Sequence, residues 1–281
     1  MKKIAVLFLS VFLLHGVFAE GNKFSLWGSG EVFKLNTVTD SILLGSGTLI
    51  YGTELVLDKG LNLRNPIYTD TKPMAGFDDI NGFDRFFAGN HGYNHTIDTI
   101  SDVLLISSFF LPASLAGTGY TEYFTIAAMY AETMLLSQGI KESIKLVVNR
   151  PRPYMYFEGF PEKDVYTDND WANSFLSGHS TMSFAAATFT SYTFCKYFPD
   201  NPWKYAVVIG SYGLAATVAC LRIGAACHFA TDVLCGAALG TTIGFLVPFF
   251  HTLGAGNNKK ETGDAQFAIV PPLGFSISIA L

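Results

Sequence analysis

Three short stretches hold most of the ionisable residues in a part of the chain that is otherwise apolar. The first holds Lys145, Arg150, Pro151, Arg152 and Pro153 at the end of an expected helix. Lys145 offers a point charge and Arg152 a planar fork, two shapes suited to phosphate oxygens. The negative end of a helix dipole would account for the same cations without any ligand. The second stretch runs over residues 173–180. There Ser177 is a good N-cap, Gly178 lets a ligand approach the backbone, and His179 follows in the first turn. A helix that starts at such a place aims free N–H groups and a positive dipole end at an anion. The third stretch holds Arg222, His228 and Asp232. His228 and Asp232 are four apart, so on a helix they face the same way. A carboxylate that fixes one imidazole nitrogen leaves the other as a directed nucleophile or base. Each stretch alone also has a purely structural explanation. Together they supply three cations, an anion-binding helix start, two histidines and a carboxylate. Phosphoryl transfer depends on such positioning and charge neutralisation. No carboxylate cluster suited to Mg²⁺ accompanies them, so protein cations stand where metals stand elsewhere.

The order and internal spacing of these residues also resemble a known family. Lys145 and Arg152-Pro153, then Ser177-Gly178-His179, then Arg222, His228 and Asp232 are similar to the tripartite signature of the type 2 phosphatidic acid phosphatase and vanadium haloperoxidase superfamily, membrane phosphatase branch. The resemblance implies that Lys145, Arg152 and Arg222 bind phosphate oxygens, helped by Ser177 and the Gly178 amide. It implies further that His228 attacks phosphorus, that Asp232 holds His228, and that His179 protonates the leaving oxygen. Water would then hydrolyse the phosphohistidine, with no metal and no cofactor. Two positions depart from the pattern: Leu176 stands where the family usually has Pro, and Leu221 where it usually has Ser.

The elements that must position these residues read as an all-α helical bundle, membrane-embedded, with short β-prone segments at both ends. Residues 1–19 have the form of an export signal: Lys2 and Lys3, an apolar run over 4–14, then Val17-Phe18-Ala19. Residues 20–100 form a flanking region with a β-prone stretch at 24–35, a moderately apolar helix candidate at 37–57 that is a poor membrane span because it carries Asp40, Glu54 and several Gly and Thr, and a long connection over 58–100. In that connection His91 and His95, near Asp78, Asp79 and Asp84, make a weak metal-site pattern. The phosphatase helical domain is expected over 101–251, with helices at 102–116, 122–148, 178–198, 203–221 and 229–251. Residues 252–281 are a linker and a tail whose alternation over 275–279 is a strand pattern that could pair with 24–35.

Composition agrees with a membrane. The chain has 281 residues, is 49% hydrophobic and only 15% charged, against roughly 25% charged for a soluble domain, and its mean hydropathy is +0.31. A net charge of −5 excludes a basic nucleic-acid binder. The four cysteines, at 195, 220, 227 and 235, sit in apolar stretches without ligand spacing and read as small hydrophobes. The expected substrate is therefore a lipid phosphate or another phosphate ester. A vanadate-dependent haloperoxidase and an inactive membrane scaffold are the rival readings. If residues 37–57 do not cross the bilayer, export leaves the site on the periplasmic face; a soluble periplasmic enzyme is the alternative.

Overall fold

The computed structural model describes residues 29–57, 68–255 and two short strands at 267–270 and 274–277. Among the described residues seven α-helices follow one another: α1 (Thr37–Leu55), α2 (Gly82–Ala88), α3 (His95–Ser108), α4 (Tyr120–Val147), α5 (Gly178–Tyr197), α6 (Trp203–Gly224) and α7 (Ala230–Ala255). Side chains that satisfy free backbone N–H groups mark the starts of α1, α2, α3 and α5. Asn36 accepts from Val38 and Thr39 ahead of α1, Asn94 from Ile97 ahead of α3, and Ser177 from Ser180 ahead of α5.

Helix α5 lies at the centre and packs against α4, α6 and α7. Its contact with α7 is backbone to backbone. Gly236, Gly240 and Gly244, spaced by four, form one stripe on α7 that faces α5. A Cβ on Gly236 would lie 2.6 Å from the Ser177 carbonyl oxygen, one on Gly244 would lie 2.6 Å from that of Ala185, and one on Gly240 would sit closer still to Thr181. Only glycine permits this approach. Helices α1 and α4 meet in a similar way, because a Cβ on Gly139 would lie 3.1 Å from the Tyr51 nitrogen.

Several expectations are corrected. Helix α3 begins at His95 rather than at 102, since Asn94 caps it and the polar residues read as loop form its first two turns. Arg222 lies inside the last turn of α6 rather than beyond it. The tail does form a strand: β2 (Gly274–Ile277) pairs antiparallel with β1 (Phe267–Val270), Phe267 opposite Ile277. Its partner is thus its own neighbour, which makes a hairpin at low loop-closure cost. Residues 29–35 carry no strand, and 24–28, like the signal at 1–19, lie outside the described residues.

Three helical segments among the described residues are long and apolar enough to cross a membrane: His95–Thr118, Trp203–Gly224 and Ala230–Thr252. Helix α4, expected to cross, is not among them, and it buries Glu122, Glu132 and Lys141. Helix α1 covers the same depth as α4. Its Asp40 touches His251 near the end of α7, whereas its Tyr51 packs beside Gly139, two residues before Lys141, whose side chain lies against Gly178 at the start of α5. Helix α1 is likewise not among the candidate spans, as expected of 37–57, although it runs from the His251 end of the bundle to the end where α5 and α7 begin. Asp40 and Glu54, which told against a membrane span here, are both accommodated within the bundle: Asp40 pairs with His251 and Glu54 is buried. Residues before α1 and the loop before α5 therefore lie at opposite ends of the bundle. Cysteines at Glu31 and Thr167, in a background lacking the native ones, should label from opposite sides of sealed vesicles. Labelling from one side would contradict this path.

Candidate active site

Backbone pairing between loops brings the three stretches together. Arg150 and Asn173 form a parallel bridge, the Ser174 N–H donates to the Arg150 carbonyl at 3.0 Å, and the Arg152 N–H donates to Trp171 at 2.8 Å. These contacts lay the first stretch beside the second. The Tyr154 N–H donates to Ala226 at 2.9 Å and Arg152 Nη1 to the Cys227 carbonyl at 3.0 Å, which brings in the third.

His228 sits in the turn between α6 and α7, and only 2% of it is exposed. The N–H groups of Cys227 and His228 both donate to the Arg222 carbonyl, at 3.1 and 3.3 Å. Ala226, at φ 57°, lets the turn close. His228 Nδ1 lies 2.7 Å from the Ser174 carbonyl oxygen. A carbonyl only accepts, so Nδ1 carries the hydrogen and Nε2 keeps its lone pair. That lone pair faces Arg152 Nη1 at 3.1 Å. Burial, then the charges of Arg152, Arg222 and Lys145, hold the imidazole pKa well below its usual range. His228 is a neutral base with one nitrogen tied and the other directed.

Asp232 does not hold it directly. His228 precedes the first turn of α7, so the helical four-residue relation does not apply. Asp232 instead accepts the Phe229 N–H at 2.9 Å, reaching back over the helix start, and the Ser174 hydroxyl at 2.5 Å. Its other oxygen accepts from Arg150 Nη1 at 2.5 Å. Asp232 thus fixes Ser174, whose carbonyl fixes His228. Arg150 is locked between two buried carboxylates, since its Nη2 donates to Asp84 at 2.7 Å, and Asp84 also takes the Thr231 N–H at 2.8 Å.

The remaining residues close around this imidazole. His179, in the first turn of α5, has Nε2 at 2.6 Å from Asp102 of α3, and it is near enough to add to the charge felt by His228. Arg222 pairs with Asp98 and donates to Ser101 Oγ at 2.9 Å, and its buried Nε–H has no acceptor among the described residues. Arg152 pairs with Asp170 at 2.5 Å. Ser177 is fully buried, and its N–H donates to the Asp232 carbonyl at 3.1 Å. Lys145 ends α4 on the same side, where burial lies first among the influences on it and the neighbouring charges include Arg152. Leu176 is buried and Leu221 half-buried, and neither is among the hydrogen-bonding groups of the site.

Several residues here were missed or left without a role: Asp84, Asp98, Asp102, Arg150, Asp170, Ser174 and Lys141. Lys141 is buried one turn before Lys145, and a Cβ on Gly178 would lie 3.3 Å from its Nζ. A cation therefore stands over the start of α5. The available signal was Asp98 and Asp102, four apart in an apolar segment where unpaired carboxylates are costly. The weak metal pattern dissolves: His91 Nδ1 faces the Gly92 carbonyl, His95 faces Thr99, and Asp84 serves Arg150.

Residues 126–253 match the PAP2 superfamily, and this segment contains all nine residues on which the motif resemblance rests. The lipid A 1-phosphatase of Porphyromonas gingivalis is 30% identical over 164 residues, 57% of this chain and 32% of that protein. Lipid phosphate phosphatase 1 of Arabidopsis thaliana is 31% identical over 129 residues, 39% of each chain. The chain thus spans well under half the length of the curated relatives it matches. A crystal structure of a transmembrane PAP2 type phosphatidylglycerolphosphate phosphatase from Bacillus subtilis aligns over 89% of this chain and 96% of that one. Its identity of 20% and TM-score of 0.35 carry no argument.

The buried neutral histidine has a consequence for stability. Below its unfolded value of 6.5, the unfolded chain binds a proton that folded His228 refuses. Stability therefore falls as pH falls, by about 1.4 kcal/mol per unit for one such group. Between pH 6.5 and 5 the wild type should lose stability more steeply than His228→Asn by about that slope, measured by unfolding in detergent. Equal slopes would contradict a neutral buried imidazole.

Proposed function

We propose that this chain, whose residues 126–253 match the PAP2 superfamily, is a membrane phosphatase that hydrolyses phosphate monoesters or pyrophosphates of lipids without a metal. The observation that carries the reading is a pair of open valences at one place. His228 Nε2 presents a lone pair, and the buried Arg222 Nε–H lacks an acceptor. A phosphoryl group meets both demands: its phosphorus is the electrophile and its oxygens are the acceptors.

In this mechanism the substrate's phosphate displaces Arg152 from Nε2 and takes donors from Arg152, Arg222, Lys145 and the Gly178 amide at the α5 start. His228 Nε2 forms a bond to phosphorus as the bond to the leaving oxygen breaks, and His179 delivers the proton that oxygen needs. Water then attacks the phosphohistidine. His179 removes its proton, inorganic phosphate departs and Nε2 regains its lone pair. Asp102 holds the His179 ring at 2.6 Å throughout. Lipid character of the substrate is supported by the apolar segments beside the site and by the names of both curated relatives.

Rapid quenching with a labelled phosphate ester should trap an acid-labile phosphoenzyme on the wild type and none on His228→Ala. His179→Ala should slow hydrolysis of an alkyl ester by about 10²–10⁴-fold, and should slow a nitrophenyl ester far less, because that leaving group needs no proton. Label retained on His228→Ala, or equal losses on the two esters, would contradict these roles.

A further inference from the structure

A second set of ionisable groups lies at the other end of α7. His251 is 19 residues beyond Asp232, and at 1.5 Å per residue that is roughly 28 Å from the active site. There Asp40 of α1, Glu132 of α4 and His251 of α7 bring one ligand atom each within 4.8 Å of one another. The His251 and Glu132 side chains are fully buried and that of Asp40 is 15% exposed. His251 Nδ1 lies 2.8 Å from the Val247 carbonyl, so it carries a hydrogen and the ring is oriented. Nε2 then points at two carboxylates, Asp40 Oδ1 at 2.9 Å and Glu132 Oε2 at 3.4 Å.

A lone pair turned towards two carboxylates requires a proton or a cation between them. A proton on Nε2 would serve Asp40. It would leave Glu132 with both oxygens buried and without a hydrogen-bond donor, which is how they stand among the described residues. It would also leave the cluster with a net charge of −1, at a high cost in an apolar interior. A divalent ion satisfies Nε2 and both carboxylates at once and brings the net charge to zero. Ligand atoms held about 2.1 Å from a tetrahedral centre sit about 3.4 Å apart, close to the separations present. One imidazole and two carboxylates favour Zn²⁺ or a similar first-row ion over Mg²⁺ or Ca²⁺. Val247 supplies the outer partner that metal-bound histidines usually have.

We infer that Asp40, Glu132 and His251 form a binding site for a divalent transition-metal ion that clamps α1, α4 and α7 together on the face opposite the active site. The site is built from residues that the hydrolysis mechanism does not use.

The test uses the full chain purified in detergent, stripped with a chelator and titrated with Zn²⁺, reading metal per chain and the thermal midpoint. The wild type should retain one equivalent and gain thermal stability. Glu132→Gln and His251→Gln should retain less than a tenth of an equivalent, while His228→Gln and His91→Gln retain it all. Co²⁺ added to the stripped wild type should give a visible absorption band that Zn²⁺ abolishes, a readout that needs no variant. No metal retained by the wild type, or equal loss in His228→Gln, would overturn the proposal. So would a Glu132→Gln protein more stable than the wild type and indifferent to Zn²⁺, which would mark a cluster closed by protons.

Discussion

The contact between α5 and α7 sets everything near the site. Both helices begin at the same end of the bundle, and their separation there is fixed by a glycine stripe that leaves no room for a single Cβ. This contact presses the Ser177 N–H onto the Asp232 carbonyl and so locks the two helix starts together. Each start presents free N–H groups and a positive dipole end. His179 rises from one start and His228 precedes the other. A larger separation would leave two anion sites with one histidine each; closure makes one site with two.

Burying so much positive charge needs compensation, and the structure supplies it by pairing. Arg152 rests on Asp170, Arg222 on Asp98, and Arg150 on Asp84 and Asp232. The pairs differ in use. Arg150 is enclosed by its carboxylates, and its work is to hold Asp232 and the loop that ends at Ser174. Arg152 and Arg222 each keep a donor turned towards His228 or into buried space without an acceptor. A phosphate can therefore gain donors without stripping either arginine of its partner, which avoids leaving a buried carboxylate alone.

Much of this was legible in the sequence because the reacting residues stand out chemically against an apolar background. The three stretches converge as expected, and the four helices from α4 onward, together with α1, lie near their expected bounds. What failed was what depends on non-local contacts. Asp232 was assigned to His228 by helical spacing, but the helix starts two residues after the histidine and the carboxylate turns to Ser174 and Arg150. Asp98 was passed over because residues 58–100 read as a connection, and Asp102 because it stood at the start of the expected helix; their polarity reflects the arginine and histidine they meet, not exposure. The tail strand was visible from alternation, but alternation names no partner, and the nearest segment in sequence won.

The central claim is that His228 Nε2 is the nucleophile and that the surrounding cations have sites ready for phosphoryl oxygens. Its most direct test is an experimental structure of the protein with vanadate, whose oxygens mimic those of a phosphoryl group in transfer. The account predicts vanadium bonded to His228 Nε2, Nδ1 still on the Ser174 carbonyl, an oxygen on Arg222 Nε, and His179 facing the apical oxygen. Vanadate bound elsewhere, or bonded through Nδ1 with the Ser174 contact broken, would contradict it.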